Sequence, residues 1–202
     1  VQRCYGLAQP PRAVHNGRSI HAVSTRAPDD SVFTAGRLWD RAKNAKTMDD
    51  AAARLAVPFK AAGQLRSPGG DGVDLRHLCL LGQMENEALA ALLSARPVFV
   101  SAALYEPFGL SVLEAAMAGC ALVLSDIPTF RELWDDAALF VSPRDAHGFA
   151  DAIAALIGDP AARHAMGARA ARRAQSYSIA STARQMAGLY AELLPRSRRD
   201  AA

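Results

Sequence analysis

Residues 105–119 read YEPFGLSVLEAAMAG, between PVFVSAAL (97–104) and ALVLSDI (121–127). Both flanking runs are apolar without polar alternation, the pattern of strands buried on two faces. Glu106 therefore stands at the carboxyl end of a strand, directly before Pro107, which restricts the residue ahead of it to extended or turn conformations and stops the strand. Phe108, Gly109 and Leu110 open a helix. Glu114 lies about a turn inside it, roughly 7 Å along the axis from Gly109 at ~1.5 Å per residue. Gly109 has no Cβ, so a ligand can approach the backbone N–H groups at the positive end of the helix. Such an end suits a phosphate, and a carboxylate at Glu114 can accept paired hydrogen bonds from a diol such as that of a ribose. One carboxylate beside a sugar, N–H groups for a diphosphate and a second carboxylate for a ribose would together suit a nucleotide sugar. Either glutamate taken singly is more often a solvated surface residue than a ligand contact. Their placement between two buried strands, with Pro-Phe-Gly after the first, favours the ligand reading.

The same rhythm extends outward. SVFTAGRL (31–38) reads as a strand closed by glycine, followed by a helix over roughly 45–56 with Met48, Ala52 and Leu55 on one face. FKAAGQL (59–65) and HLCLLGQM (77–84) are strands separated by a Pro-Gly-Gly-Asp turn, ENEALAALLSA (85–95) is a helix, ALFVSP (138–143) is a last strand, and the rest is helical. Short strands alternating with helices, joined by right-handed crossovers, predict a doubly wound, Rossmann-like parallel α/β sheet. Its ligand crevice lies beyond the carboxyl ends of the strands. There Gly36 and Arg37 end the first strand, and Lys43 starts the next helical stretch. Arg would hold diphosphate oxygens bidentately and Lys would add a point charge, whereas Arg41 and Lys46 read as a solvated basic patch. In LLGQM, Gly82 would let a flat base lie against the backbone near Met84, and a plain turn glycine fits as well.

Half of the residues are apolar and 21% are charged, a globular profile, and the net charge of +3 requires no nucleic-acid partner. No run reaches the ~20 apolar residues of a membrane span and no signal peptide is expected, which points to the cytoplasm. Three cysteines without metal-ligand spacing argue against a disulfide framework, and Cys79 and Cys120, both in apolar runs, read as small core residues. His15, His21, His77, His147 and His164 have no spacing for a metal or a triad, and GxGxxG is absent. On the helix over 160–175, Arg169, Arg172 and Arg173 share one face, read as solvated in preference to resting on anionic lipid.

Together these residues resemble the retaining nucleotide-sugar glycosyltransferases of the two-lobed GT-B architecture (glycosyltransferase family 4, or group 1), and specifically their carboxyl-terminal, donor-binding lobe. AGRLWDRAKN is similar to the family's Gly-Arg…Lys element, LLGQM to its nucleotide-base strand, and SAALYEPFGLSVLEAAMAGCALVLSDIPTFREL to its Glu-x7-Glu block. The resemblance runs from VHNGRS to LYAELL. It implies that Arg37 and Lys43 bind the donor diphosphate and stabilise the departing nucleotide, that Glu106 touches the hydroxyls of the transferred sugar, that the amides around Phe108, Gly109 and Leu110 hold phosphate or sugar, and that Glu114 takes the ribose. Gly36, Gly82 and Met84 would complete the donor site. It also implies transfer of a hexose from a nucleoside diphosphate with retained configuration, with no metal and no other cofactor. The Arg37–Lys43 loop is one residue longer than is usual in that family, which lets Arg41 compete for the role.

The resulting organisation is an interlobe connector and remnant of the amino-terminal lobe over 1–30, a donor-binding domain over 31–176, and a closing helix with a basic tail over 177–202. The chain begins at Val1, and a fragment is expected, its acceptor lobe missing or on another chain. Ile179, Ala183, Met186, Tyr190 and Leu193 or Leu194 form an apolar face on the helix over 178–194, a route to self-association. Two rival readings stay open: a non-catalytic nucleotide-sugar-binding or regulatory module of the same fold, and a nucleotide-sugar epimerase.

Overall fold

The computed structural model describes residues 2–6, 8–19 and 28–194; His21 and the basic tail lie outside them. The helices are α1 (Gln2–Tyr5), α2 (Ala45–Ala52), α3 (Asn86–Ser94), α4 (Leu110–Met117), α5 (Pro128–Trp134), α6 (Ala146–Gly158), α7 (Pro160–Ala174) and α8 (Ile179–Leu193). The strands are β1 (Val32–Ala35), β2 (Phe59–Ala62), β3 (Cys79–Gly82), β4 (Val98–Ser101), β5 (Leu122–Ser125) and β6 (Leu139–Val141). The chain divides into two compact units, Ile20–Ser176 and a second made of Val1–Ser19 with Tyr177–Ala202.

The first unit is built on a six-stranded sheet in the order β3-β2-β1-β4-β5-β6, parallel at every pairing. The order runs outward in both directions from β1, so the doubly wound sheet read from the sequence is present and its direction of winding reverses between β1 and β4. That reversal leaves a crevice beyond the carboxyl ends of these two strands. Alternation along the strands sorts the core. Val32, Phe59, Ala61, Val98, Val100 and Val123 pack with Met48 and Ala51 of α2 and with Phe149, Ile153 and Leu156 of α6. The intervening Phe33 and Phe99 are also buried and meet edge to face, 6.1 Å between ring centres. Burying a side chain of this size contributes about 1.5–3 kcal/mol.

The helices start and stop for local reasons. Asp145 caps α6 by accepting from the Gly148 N–H (2.8 Å), and Asp159 caps α7 by accepting from the Ala162 N–H (2.9 Å), with Pro160 in the first turn. Gly119, at φ 82°, closes α4. Helix α7 crosses at that bare turn: a Cβ on Gly167 would lie 2.2 Å from the Gly119 carbonyl oxygen.

One reading of the sequence is corrected here. Cys79 is exposed, because β3 is the edge strand and all four of its residues face water; Cys120 is buried, and burial pushes its thiol up to about 12. Arg169, Arg172 and Arg173 of α7 are exposed, as the solvated-face reading expects, and two of them also hold backbone carbonyls. Arg173 donates to the carbonyls of Leu133 (2.8 Å) and Glu132 (3.1 Å), and Arg169 donates to that of Asp136 (3.0 Å). They satisfy acceptors at and just beyond the carboxyl end of α5, where backbone carbonyls lack partners within their own helix.

In the second unit, the segment before Ser19 lies along the start of α8. The Arg18 N–H donates to the Tyr177 carbonyl (3.1 Å) and the Thr182 hydroxyl to the His15 carbonyl (3.0 Å). The closeness needs Gly17, where a Cβ would stand 2.6 Å from Ser178 and Thr182. Helix α8 has no buried residue, and Ile179, Tyr190, Leu193 and Leu194 are all exposed. Among the described residues, no helix is long and apolar enough to cross a membrane.

Candidate functional site

The crevice between β1 and β4 is lined by the loops that follow them. After β1 the chain passes Gly36 and Arg37, anchors itself with buried Leu38, and makes a 3-10 turn over Arg41–Lys43. Asp40 caps that turn by accepting from the Ala42 N–H at 2.9 Å. The Ala42 carbonyl accepts from the Leu104 N–H (2.8 Å), which ties this loop to the exit of β4. The Lys43 stem passes over Gly36, whose missing Cβ would stand 3.9 Å from Lys43 Cδ. At its tip, the Lys43 ammonium is paired with the Glu106 carboxylate. The two side chains are 23% and 11% exposed, so this is a largely desolvated pair. Removing either member would leave the other's charge uncompensated.

Helix α4 begins directly beyond Glu106. Gly109, the N-cap residue, takes φ 90° and ψ 65° and offers no side-chain cap of its own. A Cβ there would meet Phe130 Cε1 at 3.1 Å, Val112 Cγ2 at 3.3 Å and Glu106 Cγ at 3.4 Å. The glycine thus allows both the left-handed turn and the close approach of Glu106 and Phe130. The first-turn N–H groups of α4 point out of the helix end without an intrahelical acceptor. Phe108 is buried, Leu110 is exposed at the first helical position, and Glu114 is half-buried a turn along.

The structure brings Lys43, Glu106 and the start of α4 together. Arg37 is engaged with other partners: its side chain is 64% exposed, and its guanidinium donates to Asp40 at 2.8 Å and lies 5.6 Å from the centre of the Trp39 ring. Gly82 closes β3, two strands away from β1, with φ 70°, and its carbonyl accepts from the Gly63 N–H at 2.7 Å. Gln64 and Gln83 are joined side by side by an amide hydrogen bond of 2.8 Å, and Met84 follows, half-buried. Arg41 and Lys46 are exposed, and Lys46 binds Asp50 at 2.9 Å. At the exit of β5, Asp126 takes two hydrogen bonds from Arg131 (2.7 and 2.9 Å), which hold its carboxyl below the ordinary range; that guanidinium stacks 4.1 Å above Phe140.

Two residues of the site's framework escaped the sequence reading. Asp49 on α2 is fully buried, and one of its carboxylate oxygens accepts the N–H groups of Arg76 (2.9 Å), His77 (2.8 Å) and Leu78 (3.1 Å). Burial pushes this carboxyl up, but the three N–H groups with Lys46 outweigh it and its pKa lies below 3.8. Asn44 is the other. Its position before a helix is a usual one for Asn, but the carbonyls it reaches lie far along the chain. Among the described residues, no group of three or more His, Cys, Asp or Glu side chains is placed to hold a metal ion.

The sheet order, with its reversal between β1 and β4, defines a doubly wound, Rossmann-like α/β lobe. The family described as "Glycosyl transferases group 1" matches residues 74–173. Glycogen synthase of Mycobacterium tuberculosis is 42% identical over 101 residues, 49% of this chain and 24% of that protein. Phosphatidyl-myo-inositol mannosyltransferase of Mycolicibacterium smegmatis is 32% identical over 171 residues, 79% of this chain and 44% of that protein. The solved sucrose-phosphate synthase of Thermosynechococcus elongatus superposes with a TM-score of 0.78 at 26% identity, over 90% of this chain and 52% of its own. Over residues 74–173 the chain matches the group 1 glycosyltransferases, and it has the fold of a GT-B carboxyl-terminal lobe. It spans from about a quarter to just under half of the length of these two curated relatives.

Proposed function

We propose that this lobe holds a nucleoside-diphosphate hexose and, in the complete enzyme, serves transfer of the hexose to an acceptor with retention of configuration. The observation that carries the reading is the desolvated Lys43–Glu106 pair at the switch point, directly before the glycine that opens α4. Lys43 would neutralise the charge that gathers on the departing diphosphate, a contribution that grows as the bond to the sugar breaks. The N–H groups at Gly109 and Leu110 would share that charge, and Arg37 would add a second cation by leaving Asp40. Glu106, once Lys43 engages phosphate, would accept hydrogen bonds from the sugar hydroxyls and fix the ring. Glu114 would hold the ribose diol, and the backbone at Gly82 and Met84 would take the base. Each of these roles is binding or electrostatic, and Glu106 is assigned no covalent step. The names of the relatives, a glycogen synthase, a mannosyltransferase and a sucrose-phosphate synthase, support a hexosyl donor. The acceptor would be met by a second lobe. Cys4, Cys79 and Cys120 are all free thiols, which suits a reducing, cytoplasmic compartment.

The test is calorimetry with nucleosides, nucleoside diphosphates and nucleotide sugars on wild type, Lys43→Met and Glu114→Ala. Lys43→Met is expected to remove most of the affinity that the diphosphate adds to the nucleoside, and Glu114→Ala about 1.5–3 kcal/mol of ribonucleotide affinity, less with deoxyribonucleotides. A chain that binds no nucleotide at millimolar concentration, or variants that bind as wild type does, would overturn the donor reading. An inverted anomer in the product of the complete enzyme would overturn retention alone.

A further inference from the structure

The Asn44 side chain makes three directed contacts beside the crevice, yet the donor reading gives it no ligand. It occupies the left-handed region, φ 55° and ψ 42°, between the 3-10 turn that carries Lys43 and the first residue of α2. Its side-chain amide donates to the Ala102 carbonyl at 2.9 Å and to the Pro143 carbonyl at 2.6 Å. Its amide oxygen accepts from the Thr47 hydroxyl at 2.9 Å. Two carbonyl acceptors on one side and a hydroxyl donor on the other fix which end is NH2. The backbone is engaged too: the Asn44 N–H donates to the Arg41 carbonyl (3.2 Å) and its carbonyl accepts from the Thr47 N–H (3.1 Å).

We infer that Asn44 is the positioning residue of the cationic site: it clamps the loop after β1 to the exits of β4 and β6, and so holds the Lys43 ammonium on Glu106 and on the donor diphosphate. The geometry requires such a clamp. Lysine carries its charge on a flexible four-carbon stem, so its ammonium is only as well placed as the backbone beneath it. Lys43 is the residue before Asn44, and Ala102 lies just upstream of Glu106 on the segment leaving β4. The bond from Asn44 to Ala102 therefore joins the backbone frames of the two partners directly. The bond to Pro143 adds the segment entering α6, so three strand exits meet on one side chain. No other residue type serves all these contacts: glycine suits the left-handed backbone but bridges nothing, and aspartate accepts from Thr47 but donates to neither carbonyl.

This inference rests on the donor reading, and its test separates the two. The full chain is compared as wild type, Asn44→Gly, Lys43→Met and the double variant, by calorimetry with uridine and UDP, guanosine and GDP, and adenosine and ADP. The quantity read is the ratio of diphosphate to nucleoside affinity. Asn44→Gly is expected to keep its fold by circular dichroism, to bind nucleoside within about twofold of wild type, and to lose roughly tenfold in the ratio; in the Lys43→Met background it is expected to cost under about twofold. A purely structural role would lower the melting temperature and leave the ratio unchanged. If Lys43→Met loses the ratio and Asn44→Gly keeps it, the donor reading stands and the clamp is refuted. Fully additive losses would show that Asn44 acts apart from Lys43, which also refutes it. An unchanged ratio in Lys43→Met takes down the donor reading and the clamp together. Should Asn44→Gly fail to fold, Asn44→Asp, which also tolerates the left-handed backbone, replaces it; unfolding of both makes Asn44 a stability residue and overturns the inference.

Discussion

Asp49→Ala is the most informative perturbation of the framework beneath the site. The buried carboxylate takes three successive N–H groups of the segment that leads into β3. Truncation leaves all three without their acceptor. The N–H of Leu78, a buried residue, costs about 1–3 kcal/mol when unsatisfied, and those of Arg76 and His77, beside exposed side chains, about 0.5–1.5 kcal/mol each because water replaces part of the loss. The sum is about 2–6 kcal/mol, or a fall in melting temperature of roughly 10 °C for a chain of this size. Asp49→Asn keeps one acceptor oxygen for the three N–H groups but loses the charge and the contact with Lys46, so about 1–2 kcal/mol is expected. Urea denaturation measures both. The pH dependence has a fixed sign. The carboxyl of Asp49 lies below 3.8 in the folded protein, since the N–H groups and Lys46 outweigh the upward push of burial. Its contribution is therefore whole above the ordinary carboxylate range and is lost as pH falls through the lower, folded value. The stability gap between wild type and Asp49→Asn should narrow only on that acid side. A loss under about 1 kcal/mol in Asp49→Ala, or a gap that closes towards neutral pH, would refute the argument.

Other perturbations follow from single distances. Gly63→Ala would place a Cβ 1.7 Å from the Gly36 carbonyl oxygen at a residue with φ 137°, so the exits of β1 and β2 must separate; an insoluble or unfolded chain is expected, and a normal melting curve would contradict it. Arg173→Ala removes two hydrogen bonds to the end of α5 and is expected to cost about 1–2 kcal/mol in urea denaturation. Arg172→Ala is expected to cost under ~0.5 kcal/mol as an exposed substitution, and equal effects of the two would return both to a solvated face.

The strands and their order of chemistry were legible because parallel strands buried on both faces leave unbroken apolar runs, as at Val98–Ser101 and Leu122–Ser125. What separates an edge strand from a central one is position in the sheet, not composition. Hence Cys79, in a run as apolar as the others, reads as core and stands exposed on β3. Lys43 and Glu106 were each visible at a strand exit, but their pairing depends on the neighbour relation of β1 and β4. Asp49 and Asn44 were not legible at all as anchors. A charged residue inside a short helix looks solvated, and an Asn before one looks like a cap. The backbone groups that give each its role arrive from distant segments. The carbonyl contacts of Arg169 and Arg173 were hidden for the same reason, since their acceptors lie at the end of another helix.

That distinction also weighs the parts of the candidate site. Gly109 would be required by the fold alone, because its φ of 90° and the approach of Phe130 and Glu106 exclude a Cβ; an open helix end follows from it whether or not anything binds there. The Lys43–Glu106 pair has no such explanation. Desolvating two charges costs several kcal/mol, and apolar residues of similar size at the two positions would hold the loops at least as firmly. A fold selected only to be stable gains little from keeping the pair. A surface that must receive an anion next to a polyol gains directly, since the cation and the carboxylate are set in place before the ligand arrives and each can exchange its partner for one of the ligand's groups. The charged pair, more than the glycine or the helix, is therefore the part of this lobe on which the donor proposal rests.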